Sequence, residues 1–305
     1  MNKSKRIQGY KEFLLILPFI VLVGVFCYFP LYGWIYSFFD YKPPLPFSWD
    51  SFVGLKWFEL MFSNPSYLRQ TLAVLRNTFA ISGIALAFSW LPMFFAVFLN
   101  EIKFAPFRKF VQTASSLPNF ISWVLVYSVA FLLLNNSGMV NATLRSFGLT
   151  DAPIDFMRSG GNVVWFQMWL WLTWKNLGWA AIMYIAAIAG VDAEMYEAAR
   201  MDGASRLRCI WHITLPSILP TFFVLLLLNI SNILNNGMEQ FYVFQNSWNR
   251  DYIQVLDLYV YNLSTSRPPV YSISTALSML KSLVSVALLF SANWLSKAVR
   301  KESIL

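Results

Sequence analysis

The feature that most constrains this chain is the recurrence of apolar stretches long enough to cross a lipid bilayer. A membrane-spanning α-helix needs about 20 such residues because it rises only about 1.5 Å per residue. Six stretches of this kind occur in the 305 residues, at 13–39, 77–99, 117–134, 163–189, 215–234 and 276–296. The sequence therefore predicts an all-α, polytopic membrane protein with six transmembrane helices.

Composition excludes a water-soluble fold. Only 12% of the residues are charged and 57% are hydrophobic, whereas a soluble domain carries about 25% charged residues. The first stretch is too long for the core of a cleaved leader and is followed by no small-residue cleavage pattern, so we expect it to be retained. The two cysteines, Cys27 and Cys209, indicate neither a disulfide framework nor a metal cluster.

The distribution of basic residues predicts the orientation. Thirteen of the 23 Lys and Arg residues lie in the two terminal segments and in two short loops, eight are spread over longer loops, and Lys175 and Lys281 fall within apolar stretches. The positive-inside rule therefore places both termini in the cytoplasm. Because the basic residues follow this topology, the net charge of +8 is not interpreted as a nucleic-acid site.

This topology divides the chain into a cytoplasmic N-terminus at 1–12, a six-span transmembrane domain at 13–299 and a cytoplasmic C-terminus at 300–305. Residues 40–76, rich in proline and aromatic side chains, predict a compact extracellular cap with short interfacial helices. The other long external loops are expected either to meet another protein or to be solvated connectors.

The loop at 190–216, between the fourth and fifth stretches, carries the strongest local signals. Asp192 is suited to cap a helix N-terminus and Gly203 to stop a helix, which predicts a short helix of roughly ten residues. A second turn of helix is predicted from Ser205. Pro216 then stands at the head of the fifth span, where its missing N–H costs nothing.

The predicted short helix carries small residues, Ala198, Ala199 and Gly203, which would let the backbone of a partner protein approach closely. Charged neighbours, Glu197 and Asp202 among them, would fix its register. The alternative from the residues alone is an amphipathic helix that lies on the membrane surface.

The same loop resembles the EAA loop of binding-protein-dependent ABC importer permeases. The resemblance rests on Glu197-Ala-Ala, Gly203, Ile213 and Leu215-Pro216 at their spacing. It extends over nearly the whole chain through Pro30-Leu-Tyr-Gly33, Leu117-Pro-Asn-Phe-Ile-Ser-Trp123, Trp174-Lys-Asn-Leu-Gly-Trp179 and Glu302-Ser303. The chain looks most like the sugar permeases that import oligosaccharides and polysaccharide fragments, including aldouronate-type transporters.

The resemblance implies a type I ABC importer permease fold in the bacterial plasma (inner) membrane, and a subunit that is not an enzyme. It implies three kinds of protein partner: a second permease subunit in a heterodimer, two ATP-binding subunits and an extracellular solute-binding protein. The residues expected to couple the permease to the ATPase are Glu197, Ala198, Ala199, Asp202, Gly203, Leu215 and Pro216. No cofactor is expected in this chain, which has no G-x-x-x-x-G-K-[ST] phosphate loop, so ATP and Mg²⁺ belong to the partner ATPase.

Asparagines in the fifth stretch are candidates for the substrate pathway. Asn229, Asn232 and Asn236 recur at i, i+3 and i+7, which predicts one face of a helix, and Glu239 and Gln240 follow. Amides and aromatic rings suit sugar hydroxyls. Interhelical hydrogen bonds that merely hold the bundle together are the alternative.

Two lysines lie within apolar stretches, where an unpaired charge costs a few kcal/mol. Lys175, beside Trp174, would either line the pathway and favour acidic sugars or bind backbone carbonyls as a structural contact. Lys281 is expected to snorkel to the external surface.

Two other classes of function, a secondary transporter and a membrane-embedded enzyme, fit the sequence less well than an importer does. The absence of Asp, Glu and His from the six stretches disfavours a proton-coupled secondary transporter and a membrane-embedded enzyme. An ABC permease for another small solute is the nearest alternative.

Overall fold

The structure is a computed structural model that describes residues 3–158 and 160–300, with side chains at 12–158, 160–294 and 297. Within these residues the fold is helical, and the one β-type contact is a bridge between Phe39 and Phe52. The α-helices, labelled α1 to α15 in chain order, are Lys3–Val23, Lys56–Ser63, Pro65–Ala87, Leu91–Asn100, Ala105–Ser116, Trp123–Leu134, Met139–Ser146, Val163–Ala189, Ala193–Met201, Arg206–Cys209, Leu215–Ser231, Glu239–Phe244, Arg250–Ile253, Leu256–Thr265 and Tyr271–Arg300.

Short π and 3₁₀ segments join several of these helices. The π turns are Gly24–Tyr28 and Ile210–Thr214, and the 3₁₀ segments are Phe29–Phe38, Trp49–Ser51, Leu117–Phe120 and Phe156–Arg158. The predicted all-α class is confirmed.

Five helical segments are long and apolar enough to cross a membrane: Glu12–Phe38, Pro65–Asn100, Trp123–Ser146, Arg206–Ser231 and Tyr271–Trp294. Helices α8 and α9, bent by 68° at their junction, meet the same criteria when they are taken together. The described chain therefore has five such segments, or six with this pair. All six predicted spans overlap them.

Several predicted span boundaries were wrong because local capping residues override hydropathy. The second span was expected at 77–99 but begins at Pro65, since the Asn64 side chain accepts the backbone N–H of Ser66 (2.9 Å) and starts the helix there. The third was expected at 117–134, but residues 117–120 form a 3₁₀ turn. Helix α6 begins at Trp123 after the Ser122 cap.

The fifth span also differs from the expected 215–234. It is a continuous helical segment from Arg206 to Ser231, with the π turn Ile210–Thr214 immediately before Leu215 and Pro216. Proline removes a backbone donor, and a wider π turn accommodates such a break without ending the helix. Pro216 is thus the second residue of α11, as the sequence predicts, and the helical segment that leads into it from Arg206 is the part that hydropathy did not show.

The chain divides into two compact units. The first comprises Met1–Leu68 and Asn262–Leu280, and residues 40–68 of the expected cap, which lie in this unit, fold around the buried ring of Phe39. The Phe39 ring lies 4.5 Å from Phe47 and 5.2 Å from Phe52, measured between centroids. Its carbonyl accepts from Trp57 Nε1 (3.0 Å) and Ser272 Oγ (2.7 Å). The expected cap is thus an ordered aromatic cluster fastened to the start of α15.

The second unit, Arg69–Tyr261 with Lys281–Leu305, has two apolar cores along α8. One core packs the first half of α8 against α3, α6 and α12 to α14 through residues such as Ile81, Met168 and Phe241. The other packs the second half against α4 and α11, where Ala96 and Ala181 are fully buried. Helix α8 is therefore the central element against which the candidate sites are arranged.

Candidate functional site: coupling helix and amide cavity

Helix α9 is the short helix that the sequence predicts in the loop at 190–216. The Asp192 side chain accepts the backbone N–H of Glu194 at 2.9 Å, and the helix ends at Met201, two residues before Gly203, whose φ is +78°. A left-handed φ favours glycine because it lacks a Cβ. The backbone N–H of Ala204 returns to the Ala199 carbonyl (2.8 Å), which completes a helix C-cap. The predicted capping residues are confirmed.

The outer surface of α9 is open. Glu197, Ala198, Asp202 and Gly203 are exposed and Ala199 is half-buried. A cavity of about 560 Å³ next to this helix is lined by Glu197 and Arg200 of α9 and by three basic residues of neighbouring segments: Lys103, Arg108 of α5 and Arg206 of α10. A helix of small and charged residues that stands free in this way is available to a partner protein.

Helix α9 is fastened to the base of the fifth span. The Tyr196 hydroxyl and the Thr214 Oγ1 are 2.9 Å apart and share a hydrogen bond. Leu215, one residue further on, is buried in the core that includes Ile210 and Ile218, whereas Pro216 is exposed. Sequence reasoning missed the Tyr196–Thr214 bond because the two residues lie in different elements. This bond connects α9 to the start of the fifth span.

A second cavity, of about 550 Å³, lies among α3, α4, α8, α11 and the loop after α11. We call it the amide cavity because five asparagines line it: Asn176, Asn229, Asn232, Asn235 and Asn236. The wall also contains three aromatic residues, Phe88, Trp169 and Tyr184, so it combines polar amides with apolar rings. None of its described lining residues is charged.

The three asparagines predicted to share a face line this cavity together, but not for the reason given by the sequence. Helix α11 ends at Ser231, so Asn232 and Asn236 lie in the loop that follows and the single-helix-face prediction was wrong. The helix stops because the Asn232 amide turns back to the Leu228 carbonyl (3.0 Å) and the backbone N–H of Asn235 bonds the Asn232 carbonyl (2.8 Å). The loop, rather than the helix, presents these amides.

Asn236 differs from the other amides of the cavity. Its Nδ2 donates to Ser82 Oγ on α3 at 2.8 Å, while its Oδ1 is buried and has no hydrogen-bond partner. A buried acceptor without a partner costs about 1 to 3 kcal/mol unless a ligand or water supplies a donor. Asn236 is therefore the member of the set whose surroundings most favour a bound hydroxyl.

Lys175 is part of a different arrangement, which we call the α8 junction: Lys175, Asn176 and Gly178 of α8 against residues 115–119. The Lys175 ammonium is buried and donates to the carbonyls of Pro118 (3.1 Å) and Asn119 (2.6 Å). It also lies 5.5 Å from the centre of the Trp123 ring. These contacts match the structural alternative given for Lys175, and it is not among the described residues of the amide cavity.

The helices approach very closely at this junction. A Cβ built on Gly178 would lie closer than 3.0 Å to backbone atoms of Ser115 and Ser116. The Asn119 Nδ2 donates to Asn176 Oδ1 at 2.8 Å, so this amide bond ties the junction to the wall of the cavity. The run from Trp174 to Trp179, noted in the sequence, thus combines a helix crossing with one cavity residue.

The remaining pathway candidates lie apart from the cavity lining. Trp174 is exposed, with its ring 5.9 Å from that of Trp171. Glu239 is exposed in the first turn of α12. Gln240 is buried and its Nε2 donates to the Met168 carbonyl at 2.7 Å. Among the described residues, no three His, Cys, Asp or Glu side chains converge to hold a metal ion.

Lys281 does not snorkel freely. Its ammonium pairs with the carboxylate of Asp257 on α14, and both side chains are mostly buried.

Sequence reasoning also missed Ser82 and Asn235 as cavity residues. Asn235 belongs to the same asparagine-rich run, but Ser82 is brought in by α3 and gives no signal in the sequence.

Comparison with known proteins identifies the family to which the chain belongs. The family model for the binding-protein-dependent transport system inner membrane component matches residues 89–301. Protein LplB of Bacillus subtilis is 38% identical over 96% of this chain and 90% of that protein. The polygalacturonan/rhamnogalacturonan transport system permease protein YteP, also of Bacillus subtilis, is 39% identical over 98% of this chain and 92% of that protein.

A solved structure covers the chain equally well. It is that of a bacterial alginate ABC transporter in complex with an alginate pentasaccharide-bound periplasmic protein. A chain of that structure is 29% identical, with a TM-score of 0.84 over 98% of both chains. The fold and the sequence thus agree over nearly the whole length, and this chain belongs to the family of binding-protein-dependent transport system inner membrane components.

Proposed function

We propose that this chain is the transmembrane permease subunit of an ATP-driven ABC importer for oligosaccharides or polysaccharide fragments. The observation that carries the proposal is helix α9, an exposed helix of small residues fastened to the base of the fifth span through Tyr196 and Thr214. A partner that seats on α9 and moves would displace the fifth span. Because that span ends in the asparagine loop, the motion would reach the amide cavity.

The partners follow from the same proposal. A separate ATPase, present in two copies, binds ATP and Mg²⁺; one copy seats on Glu197, Ala198, Ala199, Asp202 and Gly203 of this chain and the other on the second permease. A second permease subunit completes the transmembrane passage, and an extracellular solute-binding protein delivers the substrate. The alginate ABC transporter of similar fold was solved with a periplasmic protein of this kind, which supports the last assignment.

The orientation rests on the basic residues. With both termini in the cytoplasm of a bacterial plasma membrane, α9 faces the cytoplasm and the end of α11 at Ser231 faces outward. The asparagine loop then lies towards the outer half of the membrane, where a substrate delivered from outside arrives first.

The substrate class is supported by the wall of the amide cavity. Neutral amides donate to and accept from hydroxyl groups, and aromatic rings pack against the apolar faces of sugar rings. Asn229 is exposed on α11, and Asn236 has a buried acceptor without a partner. A relative of 39% identity is named as a permease for polygalacturonan and rhamnogalacturonan, which supports the choice of a glycan over another small solute.

Reconstitution tests this function. The complete transporter would be placed in proteoliposomes with ATP inside and binding protein outside, and the uptake of oligogalacturonides, arabino-oligosaccharides and xylo-oligosaccharides would be measured. We expect ATP-dependent accumulation of at least one of these glycans, and none when the ATPase subunit is catalytically inactive. Accumulation driven by a proton gradient without ATP would contradict the proposal.

The coupling role of α9 has its own test at Gly203. Replacement with valine forces a β-branched residue to φ of +78°, at a cost of about 1 to 2 kcal/mol, and adds bulk to the exposed surface. We expect assembly to survive while uptake and substrate-stimulated ATP hydrolysis fall together. Gly190→Ala is the matched control, since that glycine has a φ of −84° and an added Cβ would meet only ordinary contacts. Wild-type uptake by the Gly203→Val transporter would remove the coupling assignment.

A further inference from the structure

Asp257, a residue outside the cavity wall, joins three elements of the second unit. It lies in the first turn of α14, and its Oδ1 pairs with the Lys281 ammonium of α15. Its Oδ2 accepts the backbone N–H of Gly237 at 2.9 Å. The side chains of Asp257 and Lys281 are only 20% and 15% exposed. Both carboxylate oxygens are thus occupied, one by the last span and one by the loop after α11.

The start of α14, on which Asp257 lies, is itself fixed to the second span. The backbone N–H of Leu256 donates to Thr78 Oγ1 at 2.9 Å. Just before it, Asn77 Nδ2 donates to the carbonyls of Asp251 (2.9 Å) and Gln254 (3.1 Å). These bonds are buried or partly buried, so the carboxylate is held on a firm support rather than on a mobile loop.

The loop that Asp257 contacts is the one that carries the cavity amides. Near its beginning, Ser82 Oγ donates to the Ile233 carbonyl at 2.7 Å and accepts from Asn236 Nδ2. At its end, Gly237 has a φ of +77° and is held by Asp257. The position of Asn236, with its unpartnered acceptor, is therefore set from two sides: α3 through Ser82 and α14 through Asp257.

A charged residue is a costly way to hold one backbone N–H in a partly buried place, because the charge must be paired. A neutral amide would accept the same hydrogen bond. The ion pair with Lys281 offsets part of that cost and at the same time links the carboxylate to α15. What the charge adds, beyond the hydrogen bond, is a connection between the last span and the loop of the amide cavity.

We propose that Asp257 is a positioning residue that sets the loop of the amide cavity, and that Lys281 ties this setting to the last transmembrane helix. Because α3 holds the backbone at the start of α14, a shift of α15 acts on the Asp257 side chain. It draws the carboxylate with Lys281 and so loosens Gly237 and the amides next to it. This inference rests on the proposed import function, in which the amide cavity is the substrate pathway. It assigns no contact between Asp257 and substrate.

Protection of a buried thiol at Leu234 tests the proposal without transport. Leu234, in the middle of the loop, is 3% exposed, so a cysteine there should react slowly with a membrane-impermeant maleimide. The experiment uses the assembled transporter with Cys27→Ser and Cys209→Ala. With Leu234→Cys added, Asp257→Ala should raise the labelling rate about tenfold, the effect of losing a charge-assisted hydrogen bond. Asp257→Asn, which keeps an acceptor oxygen, should restore most of the protection.

The charge-swapped pair Asp257→Lys with Lys281→Asp separates positioning from mere stability. It restores the ion pair, but lysine has no acceptor for the Gly237 N–H. We expect Asp257→Ala to lower the melting temperature of the transporter and the charge-swapped pair to restore it. The cysteine of Leu234→Cys should nevertheless be labelled rapidly in the charge-swapped pair. A cysteine at Leu149, which is 69% exposed and lies outside the amide cavity, is the control and should keep its rate in every variant.

Two results would overturn the proposal: unchanged Leu234→Cys labelling in Asp257→Ala, or full protection in the charge-swapped pair. Neither would touch the import function, because ATP-driven uptake is measured separately in the same proteoliposomes. Conversely, a loss of loop protection in Asp257→Ala would stand as a finding about the loop even if the transported solute proved not to be a glycan.

Discussion

The α8 junction and the amide cavity meet at Asn176 but use polar groups differently. At the junction, the Lys175 ammonium donates to two carbonyls and lies 5.5 Å from the centre of an aromatic ring, so two of its three hydrogen-bond donors are used within the protein. In the cavity, the next residue, Asn176, faces open space together with four other asparagines, and Asn236 keeps an acceptor without a partner.

The two sites show that a polar residue in a transmembrane helix must be interpreted by whether its hydrogen-bond partners lie within the protein. Successive side chains on a helix point about 100° apart, so Lys175 and Asn176 serve different surfaces although they are adjacent in sequence. A polar group whose partners are all internal stabilises the bundle. One that is left with spare donors or acceptors beside an open cavity is suited to bind something that passes through.

The strongest way to break the junction is to fill the space at Gly178. Gly178→Ala places a Cβ closer than 3.0 Å to the Ser115 and Ser116 backbone, and we expect a loss of about 3 kcal/mol in the free energy of unfolding. Thermal unfolding of the purified transporter measures it. Gly83→Ala on α3 is the matched control, because nothing lies within 4 Å of its added Cβ. Equal melting temperatures for the two variants would contradict the close crossing.

Lys175→Met tests whether the buried ammonium is structural. The carbonyls of Pro118 and Asn119 would lose their charged donor, which we expect to cost about 2 kcal/mol of stability. Transporter that still assembles should keep its half-saturating glycan concentration, measured by uptake in proteoliposomes. Lys42→Met, which removes an exposed ion pair with Asp40, is the control and should leave the melting temperature nearly unchanged. A selective loss of acidic-glycan uptake would instead assign Lys175 to the pathway.

The cavity asparagines should give the smallest effects, and these should appear in uptake rather than in assembly. Single alanine replacements of Asn229, Asn232 and Asn236 remove one hydrogen bond to a desolvated sugar hydroxyl, about 0.5 to 1.5 kcal/mol, or roughly two- to tenfold in half-saturation. Asn141→Ala is a control in which the effect should appear in stability and not in uptake. Its amide makes three hydrogen bonds inside the protein, to Asn135 and Ile154, so it should lower stability. Unchanged uptake by the variant with all three asparagines replaced would show that they only stabilise the helix bundle.

Sequence predicted best what is decided locally. Asp192 and Gly203 identify the limits of α9 within a few residues, because a cap and a left-handed stop act on the nearest turn of backbone. Hydropathy located the membrane helices, but it could not place their ends. Those ends depend on single side chains such as Asn64 and Ser122, which outweigh the surrounding apolar residues.

What sequence could not supply is which elements meet. The partners of Lys175 come from the 3₁₀ turn before α6, and the partner of Lys281 comes from α14. Helical periodicity found the three asparagines of the cavity but attached them to a helix that in fact ends at Ser231. Ser82, which holds the loop, lies on another span and could be found only from the packed fold.

If substrate passes through the amide cavity, the cavity must open to the outside and close again during the ATPase cycle. A cysteine at the exposed Asn229, in transporter without its native thiols, reports this directly through its reaction with a membrane-impermeant maleimide added from outside. We predict rapid labelling when the transporter is trapped in its outward-open state with nucleotide and protection in the resting state. Equal labelling rates in the two states would contradict the claim that substrate passes through this cavity.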